Sequence, residues 1–103
     1  MKPVKLLDKK VGDGYPCYSV AEIGGAFKNF EEAKNLIDDA IESKIDAVKF
    51  QTFRSETTYA YNAGKSDYLD KKGISSEIND LFENNSMPYE MIPELHNYAK
   101  QKN

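Results

Sequence analysis

With 103 residues, 40% of them hydrophobic and 30% charged, and a formal net charge of -3, the chain has the balance of one soluble globular domain or part of one. Its 14 basic residues are scattered among 17 acidic ones and form no stripe, which argues against nucleic acid as a partner. No apolar run approaches the roughly 20 residues of a transmembrane helix, and Met1 to Asp8 lacks the apolar core of a signal peptide, so no membrane association and a cytoplasmic location are expected.

Residues 4 to 7 alternate weakly and lead through Asp8-Lys9-Lys10 into Val11-Gly12-Asp13-Gly14, the signals of a small β-hairpin. Next, Pro16 to Gly25 is a β-prone run closed by two glycines, with Tyr18, Val20 and Glu22 on one face. A carboxylate near the end of such a strand is costly unless it is paired or functional. Cys17, the single cysteine, excludes an intramolecular disulfide; with no base near it in sequence, it is expected to be a small core residue.

Asn29 and Glu32 have the spacing of a capping box, in which the Asn29 side chain accepts from a first-turn amide and Glu32 reaches back to the Asn29 N–H. The helix that follows carries Phe30, Ala33, Leu36, Ile37, Ala40 and Ile41 as one apolar stripe. Lys44 falls where a helix usually ends in glycine, and a left-handed backbone is expected there. Asp46 to Phe53 then reads as a strand with Val48, Phe50 and Thr52 on one face and Lys49, Gln51 and Phe53 on the other. Strand, helix and strand make a βαβ unit with parallel strands. Glu22 and Lys49 should then share the face away from the helix, near the strand ends where α/β ligands sit, whereas an exposed antiparallel face would leave Lys49 and Gln51 merely solvated.

From Arg54 to Lys72 no period is sustained, and a long loop with at most one helical turn is expected. Ser75 can cap a short helix through Ile78, Leu81 and Phe82. A last helix places Ile92, Leu95, Tyr98 and Ala99 on one side and starts close to Pro93. His96 is the only histidine, so no metal site is expected within this chain. Two parallel strands alone make a marginal sheet, and the chain therefore reads as the first segment of something larger.

Ala21-Glu22-Ile23-Gly24, Glu32-Ala33-Lys34 with Leu36-Ile37-Asp38, and Asp46-Ala47-Val48-Lys49-Phe50-Gln51 together resemble the N-acetylneuraminate (sialic acid) synthase family. Gly12-Asp13-Gly14-Tyr15-Pro16-Cys17 and Glu94 to Lys100 extend the likeness, which is weakest from 54 to 85. The resemblance implies the N-terminal β/α units of a TIM (β/α)8 barrel, preceded by the hairpin, with residues 1 to 103 a partial barrel domain. It implies condensation of phosphoenolpyruvate with N-acetylmannosamine or a related amino sugar to a nine-carbon 2-keto acid, with release of phosphate. It also implies a divalent metal, Mn²⁺ or Mg²⁺, whose ligands lie on later strands. Transferred onto this sequence, Lys49 would hold the substrate anion, Gln51 would bind sugar hydroxyls or the N-acetyl group, and Glu22 would act catalytically on a water, hydroxyl or proton. Gly24 is followed here by Gly25-Ala26-Phe27-Lys28-Asn29 rather than the Asn-His-Asn-Gly-like turn of many members, which points to acceptors such as those of pseudaminic- or legionaminic-type synthases. Two other readings compete: another phosphoenolpyruvate-dependent aldol synthase, and a non-catalytic module that self-associates through exposed strand edges.

Overall fold

In a computed structural model, which describes residues 1–102, the N-terminal segment forms the expected hairpin, β1 (Val4–Leu6) antiparallel to β2 (Lys9–Val11), with Leu6 opposite Lys9. Leu7 turns the chain in the left-handed region at φ 55°. Both strands are largely exposed, so the hairpin stands off the core.

The βαβ unit follows: β3 (Val20–Glu22), α1 (Phe30–Glu42) and β4 (Ala47–Lys49), with β3 and β4 parallel in the register Val20↔Ala47, Ala21↔Val48, Glu22↔Lys49. Both strands are shorter than the apolar runs that announced them. Among the described residues each has only the other as partner, so the ladder stops where the two strands part, although the alternation continues through Thr52. Asn29 caps α1 as expected, its side-chain oxygen accepting from the Glu32 N–H at 2.9 Å. The return contact differs: Glu32 accepts from the Lys28 N–H at 2.7 Å, four residues back, rather than from Asn29. Glu31 and Glu32 also place negative charge at the positive end of the helix dipole.

Ala33, Ile37 and Ala40 on α1 are buried, and Ile23, Ala33, Ile37, Met87 and Leu95 form the core. Burying an isoleucine or leucine side chain fully contributes about 1.5–3 kcal/mol, so Ile37 and Leu95, both under 2% exposed, are the main anchors. Leu95 belongs to α5 (Met91–Lys102), where Pro93 lies in the first turn and its missing N–H costs nothing. The Tyr98 hydroxyl donates to both carboxylate oxygens of Asp38, at 2.8 and 2.9 Å, tying α5 to α1. Lys34 lies over the Phe30 and Tyr98 rings at 5.3 and 5.5 Å.

The stretch after β4 is more regular than its sequence suggested. It contains α2 (Ser55–Thr58) and α3 (Asp67–Lys71), followed by the expected short helix through Ile78, Leu81 and Phe82, α4 (Ile78–Asn84). Periodicity cannot show helices of four and five residues, and here polar side chains organise them. Asn79 donates to the buried Ser55 hydroxyl at 3.1 Å and accepts from the Ala63 N–H at 3.2 Å, while Phe82 packs on Phe53 and Tyr59. Ser75 does not cap α4; Glu77 stands at the N-cap position with no side-chain bond, and the Ser75 hydroxyl accepts from Lys65 instead. Cys17 is exposed rather than a core residue, because the lead-in to β3 runs where no other element covers it.

Among the described residues, two separate two-stranded sheets and five helices thus make a mixed α/β arrangement compatible with a fragment of a larger β/α domain, and they form no closed barrel. The radius of gyration is 17.3 Å, against about 13 Å for a closed domain of this length. No helix among the described residues is long and apolar enough to cross a membrane.

α1 ends in a Schellman arrangement, with the Ile45 N–H bonded to the Ala40 carbonyl and the Lys44 N–H to that of Ile41, both at 3.0 Å. Lys44 has φ 57°, as its position after the helix implied. Lys44→Gly should therefore raise stability by up to about 1 kcal/mol in urea unfolding, less whatever freedom glycine adds to the unfolded chain. A lower urea midpoint would contradict the strain at this position.

Candidate active site

The parallel register sets the site. Ile23 points to the core, so its neighbour Glu22 points away from it. On β4, Val48 packs toward the core with Phe50, and Lys49 between them points the other way. Because Glu22 and Lys49 are register partners, their side chains meet, and the Lys49 ammonium donates to Glu22 Oε2. The other carboxylate oxygen, Oε1, accepts from the Gly24 N–H at 2.8 Å. The Lys49 ammonium first, and the Gly24 N–H second, hold the Glu22 carboxyl below its ordinary range.

Gln51, two residues beyond Lys49, is exposed, with its side-chain carbons lying against Gly24. The three residues proposed from the sequence therefore lie on one side of the β3–β4 pair. Glu22 and Lys49 are in direct contact, and Gln51 reaches the same face through Gly24. In this chain the face is open: the side chains of Lys49 and Glu22 are 62% and 41% exposed. An apolar groove of about 410 Å³ lies on the opposite face, where Val48, Phe50 and Thr52 meet Ile37, Leu95 and His96. It is lined by the packing face of the strand.

Among the described residues, no group of three His, Cys, Asp or Glu side chains could hold a metal ion. His96 lines the apolar groove, and Glu22 is already engaged by Lys49. These residues do not fit a divalent-metal centre.

A second polar cluster went unread in the sequence. Asp46 Oδ2 accepts from the Ser19 N–H at 2.8 Å and the Ser19 hydroxyl at 3.0 Å, and Oδ1 accepts from Lys9 on β2. Lys9 first, then the Ser19 N–H and hydroxyl, hold the Asp46 carboxyl at about 2, and Asp46 raises Lys9 in turn. Ser19 and Asp46 immediately precede the paired residues Val20 and Ala47, so this cluster locks the starting register of both strands and ties the hairpin to them. The available signal was an aspartate at the head of the run read as a strand, outside the alternation of Val48 to Phe53.

A family model described as the NeuB family matches residues 36–103. The spore coat polysaccharide biosynthesis protein SpsE of Bacillus subtilis is 33% identical over 103 residues, 99% of this chain and 27% of its own length. An N,N'-diacetyllegionaminic acid synthase of Legionella pneumophila is 33% identical over 88 residues, 84% of this chain and 22% of its own length. The uncharacterized protein MJ1065 of Methanocaldococcus jannaschii is 32% identical, over 98% of this chain and 26% of its own length. The chain thus spans about a quarter of the curated relatives it matches. No solved structure matches it significantly.

A carboxyl held down by its folded-state partners contributes stability that is complete above its unfolded pKa and is lost as pH falls through the folded value. For Asp46 that window runs from 3.8 down to about 2. The stability advantage of the wild-type chain over Asp46→Asn should be constant above the window and shrink within it. An advantage that does not change with pH across the window, measured by urea unfolding, would show that the ionised carboxylate is not what holds the strands in register.

Proposed function

The chain belongs to the NeuB family, and from that premise we propose that it is the N-terminal β/α portion of a sialic-acid-type synthase. The proposed reaction joins phosphoenolpyruvate to N-acetylmannosamine or a related amino sugar. A bond forms between the methylene carbon of phosphoenolpyruvate and the aldehyde carbon, water adds, and phosphate leaves, giving a nine-carbon 2-keto acid. The observation that supports this reading is the apposition of Glu22 and Lys49 on neighbouring parallel strands, on the face turned away from the helices. The setting proposed for that face is the inside of a β/α barrel completed by further polypeptide, with a soluble, cytoplasmic location. A divalent metal would come with ligands from outside the residues described.

On this reading Lys49 is the fixed cation for the carboxylate or phosphate of phosphoenolpyruvate, a role that suits an ammonium near a strand end. In the free chain Glu22 occupies that cation. An arriving anion displaces Glu22 from Lys49 while the Gly24 N–H can still hold Oε1. Freed of its main depressing partner, the Glu22 carboxylate rises toward its ordinary pKa of 4.5 and becomes a better acceptor for a hydroxyl or water proton. Gln51, offering both a donor and an acceptor, suits sugar hydroxyls or an N-acetyl group. The legionaminic acid synthase relative favours an acceptor of the N-acetylated amino-sugar class.

Titration of the chain with phosphoenolpyruvate, followed by NMR, tests the assignment. The Glu22, Lys49 and Gln51 signals should move together with a Kd on the order of 1 mM, as one open cation would allow. Lys49→Met should abolish the shifts while the chain stays folded, since that side chain is mostly exposed and the Asp46–Ser19 contact still holds the strands in register. The chain alone should release no phosphate from phosphoenolpyruvate in the presence of Mn²⁺ and N-acetylmannosamine. Shifts that persist in Lys49→Met would refute the assignment, and acceptor-dependent turnover by these 103 residues would refute the reading of the chain as part of a larger barrel.

A further inference from the structure

We infer that Gly24 is a positioning residue for this face, one that sets where Gln51 stands relative to the Glu22–Lys49 pair; the inference rests on reading the face as a ligand site. Pairing of the two strands runs one step past Glu22, through the Ile23 N–H donating to the Lys49 carbonyl at 3.0 Å. Gly24 comes next and lies against Gln51. A β-carbon at Gly24 would fall 2.6 Å from the Gln51 backbone nitrogen, 2.5 Å from its Cγ and 2.7 Å from its Cβ. A backbone nitrogen has no rotamer to escape into, so any side chain at position 24 must push the whole residue 51 outward. The requirement is one of room alone, because the Gly24 backbone is not in the left-handed region. Gly25 is the opposite case, with φ +75° and open space around its missing side chain.

Gly24 therefore serves both halves of the face at once. Its N–H orients Glu22 through Oε1, and its missing side chain brings Gln51 in close. Widening this contact would draw the Gln51 amide away from a ligand whose anionic end sits at Lys49, leaving the cation itself in place.

The experiment uses the 103-residue chain and two variants, Gly24→Ala and Gly25→Ala, with ¹⁵N-resolved NMR and thermal unfolding. In the unmodified chain a strong nuclear Overhauser effect is expected between the Gly24 α-protons and the Gln51 backbone amide proton. In Gly24→Ala the Gln51 backbone and side-chain amide signals should shift while those of Val4 to Val11 stay in place. Gly25→Ala should lower the Tm yet leave the Gln51 signals unmoved, which separates positioning from general destabilisation. A missing Overhauser effect in the unmodified chain overturns the inference even if Gly24→Ala fails to fold. Unmoved Gln51 signals in Gly24→Ala, or equal shifts in both variants, overturn it as well. Phosphoenolpyruvate binding is read separately, at Lys49, so failure of the functional reading appears there and failure of the positioning role appears at Gln51.

Discussion

The register of β3 against β4 is the constraint on which the rest depends. Parallel strands of three residues supply few hydrogen bonds of their own, so their alignment has to be held from outside the ladder. The Asp46 carboxylate does this at one end by taking both the N–H and the hydroxyl of Ser19. At the other end Glu22 meets Lys49, and Ile23 bonds the Lys49 carbonyl. A slip of one residue would turn Lys49 toward Ile37 and Leu95 and send Val48 outward, exchanging the packing face for the polar one. The same two charge-assisted contacts that align the strands therefore decide which residues are available for chemistry.

The faces of this βαβ unit carry different work. On the helix side, α1 and α5 cover Ile23 and Val48, with Met87 closing the core from a segment the periodicity did not single out. Arg54 explains its arrival: its guanidinium donates to the Met87 carbonyl at 2.8 Å and stacks 3.9 Å from the Tyr89 ring, drawing residues 87–89 back to the end of the β4 segment. On the other side Glu22 and Lys49 face one another, the Gly24 backbone and solvent. Leu6, Leu7, Val20, Ile41 and Ile92 also stay exposed, so much apolar surface remains available for further packing. On the proposed reading the face takes a small anion; its hold would strengthen if water were excluded, and in the open setting seen here Lys49 would hold such an ion only weakly.

Legibility in the sequence followed the length and regularity of the pattern. The thirteen residues of α1 carry enough turns for the stripe at Ala33, Ile37 and Ala40 to be unmistakable, and Asn29 announces its start. The shared face of Glu22 and Lys49 was also readable, since period-2 alternation on two strands joined by a helix leaves little choice. The Asp46–Ser19–Lys9 cluster was not, because it brings together residues far apart in the chain that belong to no periodic run. Nor were α2 and α3, whose four and five residues fall below one amphipathic repeat and whose placement depends on Asn79 and on aromatic contacts at Phe82. The exposure of Cys17 escaped for a similar reason, since burial at a strand's lead-in depends on what covers it.

The pairing of Glu22 with Lys49 is the most exposed claim, and the ionisation of Glu22 reports on it directly. Its side-chain carboxyl carbon can be titrated by NMR in the wild-type chain and in Lys49→Met. Since Lys49 is the main cause of the depressed value, the midpoint should lie below 4.5 in the wild type and move upward in the variant. Identical midpoints in the two chains would mean that the two side chains do not meet, and the shared face would lose its physical basis.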